Sequence, residues 1–523
     1  MSISRTTLLV VLLALVIAAP AAAAPVIAFP DAHAGDVVVD ETGTAHFIWL
    51  NPNSGNEGDS DTLFYCRVPL EATACTPRQT LPTLPLTLST PQLLIDPDAN
   101  KLVVVDNRGY GREEGLYTIV STDGGITWTP HHVADSGIGL LDAELSTDGS
   151  TVNVVRGGDN PYGSGDNIFQ SRAVDAPYSP GQVLIGRVDQ ANKESVAYQT
   201  IGLGYLRDGR LFVLGEEATG EAATPARKSA IRILTGENAN DFAQWSPWSP
   251  TRPVYYDKLH IASGPTGPWV MYQGPHVYKD IGARWERWEI ARISNTGKIL
   301  APELLTALYA TYGGSNGGDL AQDPAGGLHA VWASVAEGCH NGGLCIVYRY
   351  RPPGGQFGVK AAVASIKNVR RSIFYPRVAA DSNADGWVMW QDNAVTPTTF
   401  RATRLDPENT QKFGNAVVSL TGPRSCVKRK KGFTGVVSVR PVSGSGVKIL
   451  QVAYSFREYP DHPVVKHLDK ADPFSRSFPL GKFDKKGTRE RKTRALATAV
   501  TLTYQGKKST VLLKLPIDIC DEN

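Results

Sequence analysis

Several shortages in the sequence narrow what the chain can be. Beyond the first two dozen of its 523 residues, no run is long and apolar enough to cross a bilayer as a helix. No long stretch has the 3.6-residue apolar period of an amphipathic helix, which argues against a helix bundle. Cysteine is scarce, six in all, and none is spaced Cys-x-x-Cys, so no zinc-ligand pattern is present. The net charge is small, +2 from 53 Lys and Arg against 51 Asp and Glu.

What is present begins with "MSISRTTLLVVLLALVIAAPAAAAPV". Arg5 supplies the positive start, Leu8 to Ala19 the apolar run, and an alanine stretch the small residues for cleavage. These features predict a signal peptide over residues 1–23 and a secreted, extracellular protein. Export permits disulfides, and proximity pairs Cys66 with Cys75, Cys339 with Cys345 and Cys426 with Cys520, out of the fifteen pairings that six cysteines allow. "CHNGGLC" contains His340, but nothing else there has ligand spacing, so a loop staple is the better reading.

The small net charge hides an asymmetry. Residues 424–523 carry 21 Lys and Arg against 9 Asp and Glu, while the rest carries 32 against 42. That shift places a domain boundary at Gly422-Pro423, giving domains over 24–422 and 423–523.

A pattern recurs through the first domain: an apolar run, a tight Asp/Gly turn, then a second apolar run often ending in Trp. "VVVDETGTAHFIWLN", "LAQDPAGGLHAVWAS" and "VAADSNADGWVMWQD" are three of seven instances. Read as beginning at Asp40, Asp96, Asp148, Asp208, Pro265, Asp323 and Asp381, the turns are separated by 56, 52, 60, 57, 58 and 58 residues. Each unit reads as a β-hairpin followed by a third and a weaker fourth strand. Four strands at a constant period predict an all-β chain built as a four-stranded β-propeller of seven blades, with six or eight as the alternatives.

"STDGGITW" falls after the third strand of the second unit. Asp123 can accept N–H bonds across the turn, two glycines permit positive φ, and Trp128 can bury its ring. The octet, with Ser121, Asp123, Gly125, Thr127 and Trp128 in their places, resembles the Asp box of bacterial neuraminidase repeats, found in sialidases and other glycan-processing propellers. The resemblance implies a structural turn on the blade periphery. In sialidases it would also imply three arginines on the substrate carboxylate, a Tyr nucleophile paired with a Glu, and an Asp acid/base. The early Phe/Tyr-Arg-Ile-Pro motif that supplies the first arginine is absent, so the resemblance extends to the fold and not to the catalytic set.

Long polar loops join the second and third strands, and recognition favours such loops on a rigid scaffold. Tyr110, Asp159, Tyr162, Asp166, His276, Tyr278, Trp285 and His340 are candidates there for sugar binding, through hydroxyl acceptors and flat rings; ordinary solvated loops are the competing reading. Arg377 in "FYPRVAAD" and Arg156 would sit near the channel. Glu113, Glu114, Asp159, Asp166, Glu216, Glu217 and Asp280 are all eligible as a hydrolytic carboxylate pair. No cofactor is indicated. Asp381, Asn383 and Asp385 match the start of a calcium loop, against a plain hairpin turn.

Residues 423–523 read as a β-sandwich closed by Cys426 and Cys520, resembling an immunoglobulin-like module. Their basic runs fit either attachment to an anionic cell-surface polymer or a solvated charged face, and no nucleic-acid motif accompanies them. The sequence therefore predicts a secreted monomer without a transmembrane segment. It would bind glycan or a cell-surface partner without catalysis or, alternatively, act as a sialidase-like or other glycoside hydrolase.

Overall fold

The computed structural model describes most of residues 26–518. Outside the described residues lie both ends and a set of internal segments, of which 52–61, 83–89, 109–114, 158–167, 176–182, 185–196, 219–227, 252–258, 278–283, 306–316, 335–343, 367–372, 422–432, 441–446, 457–464 and 479–492 are the longest. The described chain is all-β: its strands form four-stranded antiparallel sheets, and its one helical element is a 3-10 turn at Phe242–Gln244. Among the described residues no helix is long and apolar enough to cross a membrane.

Seven sheets follow one another along the chain. Sheets 1 to 6 lie within 34–80, 92–134, 138–184, 197–250, 259–304 and 318–366, each with strands in sequence order. Sheet 7 takes three strands from 373–405 and its fourth, Ile27–Pro30, from the start of the described chain. First strands of consecutive sheets lie side by side, and that of sheet 7 lies beside that of sheet 1, so the series closes on itself.

The second strands explain how the faces are buried. "AHFIWLN", "LHAVWAS" and "GWVMWQD" are buried along nearly their whole length, because a sheet covered on both faces needs apolar residues at odd and even positions alike. Phe47 and Trp49 pack against Trp387 and Met389 of sheet 7, while Ile48 and Leu50 pack against Leu102 and Val104 of sheet 2. Every consecutive pair of sheets shares such a cluster, including sheets 7 and 1.

Hydrogen bonds lock the periphery. In sheet 1, His46 Nε2 donates to Asp40 at 3.1 Å and Nδ1 shares a bond with Tyr65 Oη at 2.7 Å. Sheet 6 has Asp323, His329 and Tyr348 at the same sequence spacing: His329 Nδ1 shares a bond with Tyr348 Oη at 2.8 Å, while Nε2 stands 3.5 Å from the Asp323 carboxylate without a hydrogen bond to it. "STDGGITW" joins the third and fourth strands of sheet 2: Asp123 accepts from the N–H groups of Ile126 and Thr127 and the hydroxyls of Ser121 and Thr127, at 2.7 to 3.0 Å. Trp128 meets Tyr65 of sheet 1 edge-on at 4.9 Å. At Gly125, with φ +85°, a Cβ would strike that tyrosine's hydroxyl.

The last strand in the chain run of sheet 7 ends at Leu405. Strands Thr410–Phe413 and Ala416–Thr421 pair in one sheet with Phe433–Arg440 and Ser475–Phe478, and a second sheet joins Val447–Phe456, Val465–Asp469, Thr493–Tyr504 and Lys507–Asp518. Val418, Leu420 and Val437 of the first share a core with Val452, Tyr454, Leu496 and Leu513 of the second. Cys66 and Cys75 are disulfide-bonded. Cys345 is also in a disulfide, whereas Cys339, Cys426 and Cys520 lie outside the described residues.

Candidate functional site

Five of the seven first strands end in a turn closed by glycine. The N–H groups of Gly43, Gly149, Gly209, Gly267 and Gly326 donate to the carbonyls of Asp40, Ser146, Leu206, Gly264 and Asp323 at 2.8 to 3.0 Å. Each of these glycines has φ between +66° and +89°, where a side chain would be strained. These bonds correct the turn positions expected from sequence: the turns of sheets 3, 4 and 5 begin at Ser146, Leu206 and Gly264, not at Asp148, Asp208 and Pro265. Aspartate marks the turn but not always its first residue, whereas the closing glycine is fixed by its dihedral.

Four residues before these turns stand Asp36, Asp142, Gly202, His260 and Asp319, and sheets 2 and 7 contribute Gln92 and Arg377. Four members of this column share a bond geometry. Asp36 accepts the N–H of Leu93 at 2.8 Å, Gln92 that of Ala143 at 2.8 Å, Asp142 that of Leu203 at 2.7 Å and Asp319 that of Val378 at 2.9 Å. The first strand of each sheet has no strand beyond it, so its outward N–H groups need partners from elsewhere. The preceding sheet supplies one. Gly202, His260 and Arg377 break the rule, since none carries a carboxylate or amide acceptor.

Electrostatics place the column's members across the closed series from one another. Asp142 of sheet 3 feels Arg377 of sheet 7 and Asp319 of sheet 6, neither of them a neighbouring sheet, and Asp36 feels both as well. Burial raises the Asp36 carboxyl to about 6 against the pull of Arg377. It raises Asp142 to about 7 against the N–H bonds from Leu203 and Ala143. Burial also works on Asp319, but His260, whose Nδ1 is 3.5 Å away, and Arg377 outweigh it and hold that carboxyl below its usual range. Two carboxyls that titrate near neutrality thus face one that stays ionised, and such divergence fits proton donor and acceptor roles.

Towards the turns the channel widens into a cavity of about 580 Å³, bordered by Leu93, Ile95, Glu144, Tyr205, Ser263 and Leu320. Burial and the nearby Asp142 raise Glu144 to about 8, and Ser263 Oγ donates to it at 3.4 Å.

The opposite end, where the first strands begin, is also where the second-to-third-strand loops emerge. Three first strands are bulged there, in sheets 3, 4 and 7, each just ahead of its column residue. Bulges of this kind re-aim side chains. In sheet 7 Phe374 faces Gln391 and Arg377 faces Met389, so Tyr375 and Pro376 together oppose Trp390.

Of the residues expected from sequence, Arg377 is in the column. His276 and Trp285 are register partners in sheet 5 at the loop end. Tyr110, Asp159, Tyr162, Asp166, Tyr278 and His340 lie outside the described residues, as do Asp381, Asn383 and Asp385. Among the described residues no group of three or more His, Cys, Asp or Glu is arranged to hold a metal. Asp36, Asp142, His260 and Asp319 escaped sequence reasoning because each sits in a short apolar strand. Alignment on the closing glycines puts all four in one column.

No family model matches this chain, and no curated protein does. Solved structures similar to it include an alpha-L-arabinanase of Penicillium chrysogenum, 11% identical with a TM-score of 0.40, covering 73% of this chain and 98% of that one. A subtype N11 neuraminidase-like protein of A/flat-faced bat/Peru/033/2010 (H18N11) is 9% identical at a TM-score of 0.34, over 72% and 89%. A periplasmic gluconolactonase of Pseudomonas aeruginosa is 13% identical at 0.41, over 68% and 95%.

Proposed function

We propose that this chain is a secreted seven-bladed β-propeller that binds a glycan at the loop end of its channel, followed by a basic immunoglobulin-like module that holds it near an anionic surface. The blade count is supported by seven four-stranded sheets whose interfaces run in a closed series. The observation that carries the binding site is the convergence of Asp36, Asp142 and Asp319, from three non-adjacent sheets, on the field of Arg377. Carboxylates fixed by backbone N–H bonds are pre-set acceptors for sugar hydroxyls, and the guanidinium and His260 are donors beside them.

A second reading, glycoside hydrolysis, is favoured by the divergence between Asp142 and Asp319. Binding and sugar release by the purified protein on a glycan panel, repeated with Asp142→Asn and Asp319→Asn, separates the two. Binding without release, weakened at least about tenfold by Asp319→Asn, is the expected result. Turnover abolished by Asp142→Asn would replace it with the hydrolase. A protein that neither binds nor cleaves any glycan is not what we propose.

A further inference from the structure

The charge of the column and one strained residue above it point to the class of glycan. Three carboxylates stand against a single guanidinium, and His260 is already paired with Asp319. A sialic or uronic acid would bring a further negative charge to a column whose one arginine, among the described residues, already serves three carboxylates, and like charges brought together oppose binding. Arg377 Nε is buried and has no hydrogen-bond partner in the protein. A hydroxyl or ring oxygen would satisfy that donor without adding charge.

Tyr375 starts the bulge two residues earlier. Its φ is +51°, the left-handed region that a bulky side chain rarely enters, and it precedes a proline, which restricts it further. It is 53% exposed, and among the described residues it is the one aromatic among the exposed large hydrophobic side chains. The first strand of sheet 6 enters against its backbone: a Cβ on Gly317, itself at φ +90°, would lie 3.6 Å from Tyr375 Cα. Strain and exposure together cost stability, and such residues concentrate where a ligand is held. An exposed phenol ring is a stacking surface for the apolar face of a sugar.

Resting on the glycan reading above, we propose that the loop-end mouth of the channel takes an uncharged saccharide, with Tyr375 as its stacking platform and Arg377 and the aspartates reading its hydroxyls. The test is affinity electrophoresis in gels containing neutral arabinan, galactan or glucan, or acidic polygalacturonate or sialylated mucin. It compares the full chain with Tyr375→Gly and Tyr375→Phe, alongside thermal melts of each. At least one neutral polysaccharide should retard the wild type through the channel mouth, whereas any retardation by the acidic ones, which the basic residues of 424–523 can supply, should be the same in Tyr375→Gly as in wild type. Tyr375→Gly should bind about tenfold more weakly while melting no lower than wild type, because glycine accepts the left-handed φ; Tyr375→Phe should bind normally. Retardation by acidic polysaccharides alone, weakened in Tyr375→Gly, would overturn the uncharged class and leave the glycan reading standing; acidic retardation alone that is unchanged in the variant would overturn both. Neutral binding unchanged in Tyr375→Gly would remove the platform. No retardation by any polysaccharide would overturn both this inference and the reading beneath it.

Discussion

Asp123 and Asp142 belong to consecutive sheets, and their carboxyls are driven in opposite directions. Asp123, in the turn between the third and fourth strands of sheet 2, is held at about 2, first by the Thr127 N–H and hydroxyl and then by Ser121 and Ile126. Asp142 also accepts two N–H bonds, from Leu203 and its own neighbour Ala143, yet burial carries it to about 7. Asp123 has four donors and Asp142 two, and in both the donors lower the carboxyl, so donors do not account for a rise. The difference is that water still reaches the outer turn, whereas the channel strands strip it from Asp142 before the bonds can compensate. Asp123 therefore works as a permanent acceptor that fastens its turn, whereas Asp142 keeps a proton within reach of neutral pH.

The largest break in that comparison should come from the most buried turn. Asp323 is fully buried, accepts from Gly327 N–H at 2.8 Å and Tyr350 Oη at 3.3 Å, and lies 3.5 Å from His329 Nε2. Asp323→Ala leaves these donors buried without an acceptor and should cost about 3 kcal/mol, measured by denaturant unfolding, with glycan binding intact. Asp40→Ala, at a carboxyl 18% exposed to solvent, should cost less.

Next comes the pH dependence set by the channel. Asp36 and Asp142 have folded values raised above the unfolded ones, to about 6 and about 7. Their contribution is complete below the ordinary carboxyl range and is lost as pH rises through those values. Melting temperature should accordingly climb from pH 8 towards pH 5. Asp142→Asn should reduce that climb to the shares of Asp36 and Glu144, and a climb unchanged in the variant would show that Asp142 is not one of its sources.

The same contrast explains what was legible in the sequence. The repeat could be read because second strands such as "HFIWL" and "WVMW" must be apolar on both faces, a constraint that survives in any order of side chains. The turn at "STDGGITW" was legible because the bonds that its aspartate accepts are local, Ser121 to Thr127. The channel column was not, because each member acts on the next sheet, Asp36 on Leu93 and Asp142 on Leu203, and a lone Asp in a five- to eight-residue strand has no local signature. Tyr375 was missed for a related reason: its φ is imposed by the bulge and the approach of Gly317, not by its sequence neighbours.

The smallest effect belongs to the exposed turns, and it should have the opposite sign in pH. Asp123 and Asp148 are both lowered to about 2, Asp148 first by the Ser146 hydroxyl and then by the Ser150 N–H. A lowered folded value means stability that is present above the ordinary carboxyl range and lost as pH falls through about 2. Asp123→Asn should therefore leave the melting temperature between pH 5 and pH 8 nearly unchanged and soften only the decline on the acid side. Because Trp128 and Gly125 pack on Tyr65 of the preceding sheet independently of that carboxylate's charge, the turn should keep its place while its bonds weaken. Melts from pH 2 to pH 8 on Asp123→Asn and Asp142→Asn would then move opposite limbs of one stability curve; movement of the same limb by both would mean that the two aspartates differ in position but not in kind.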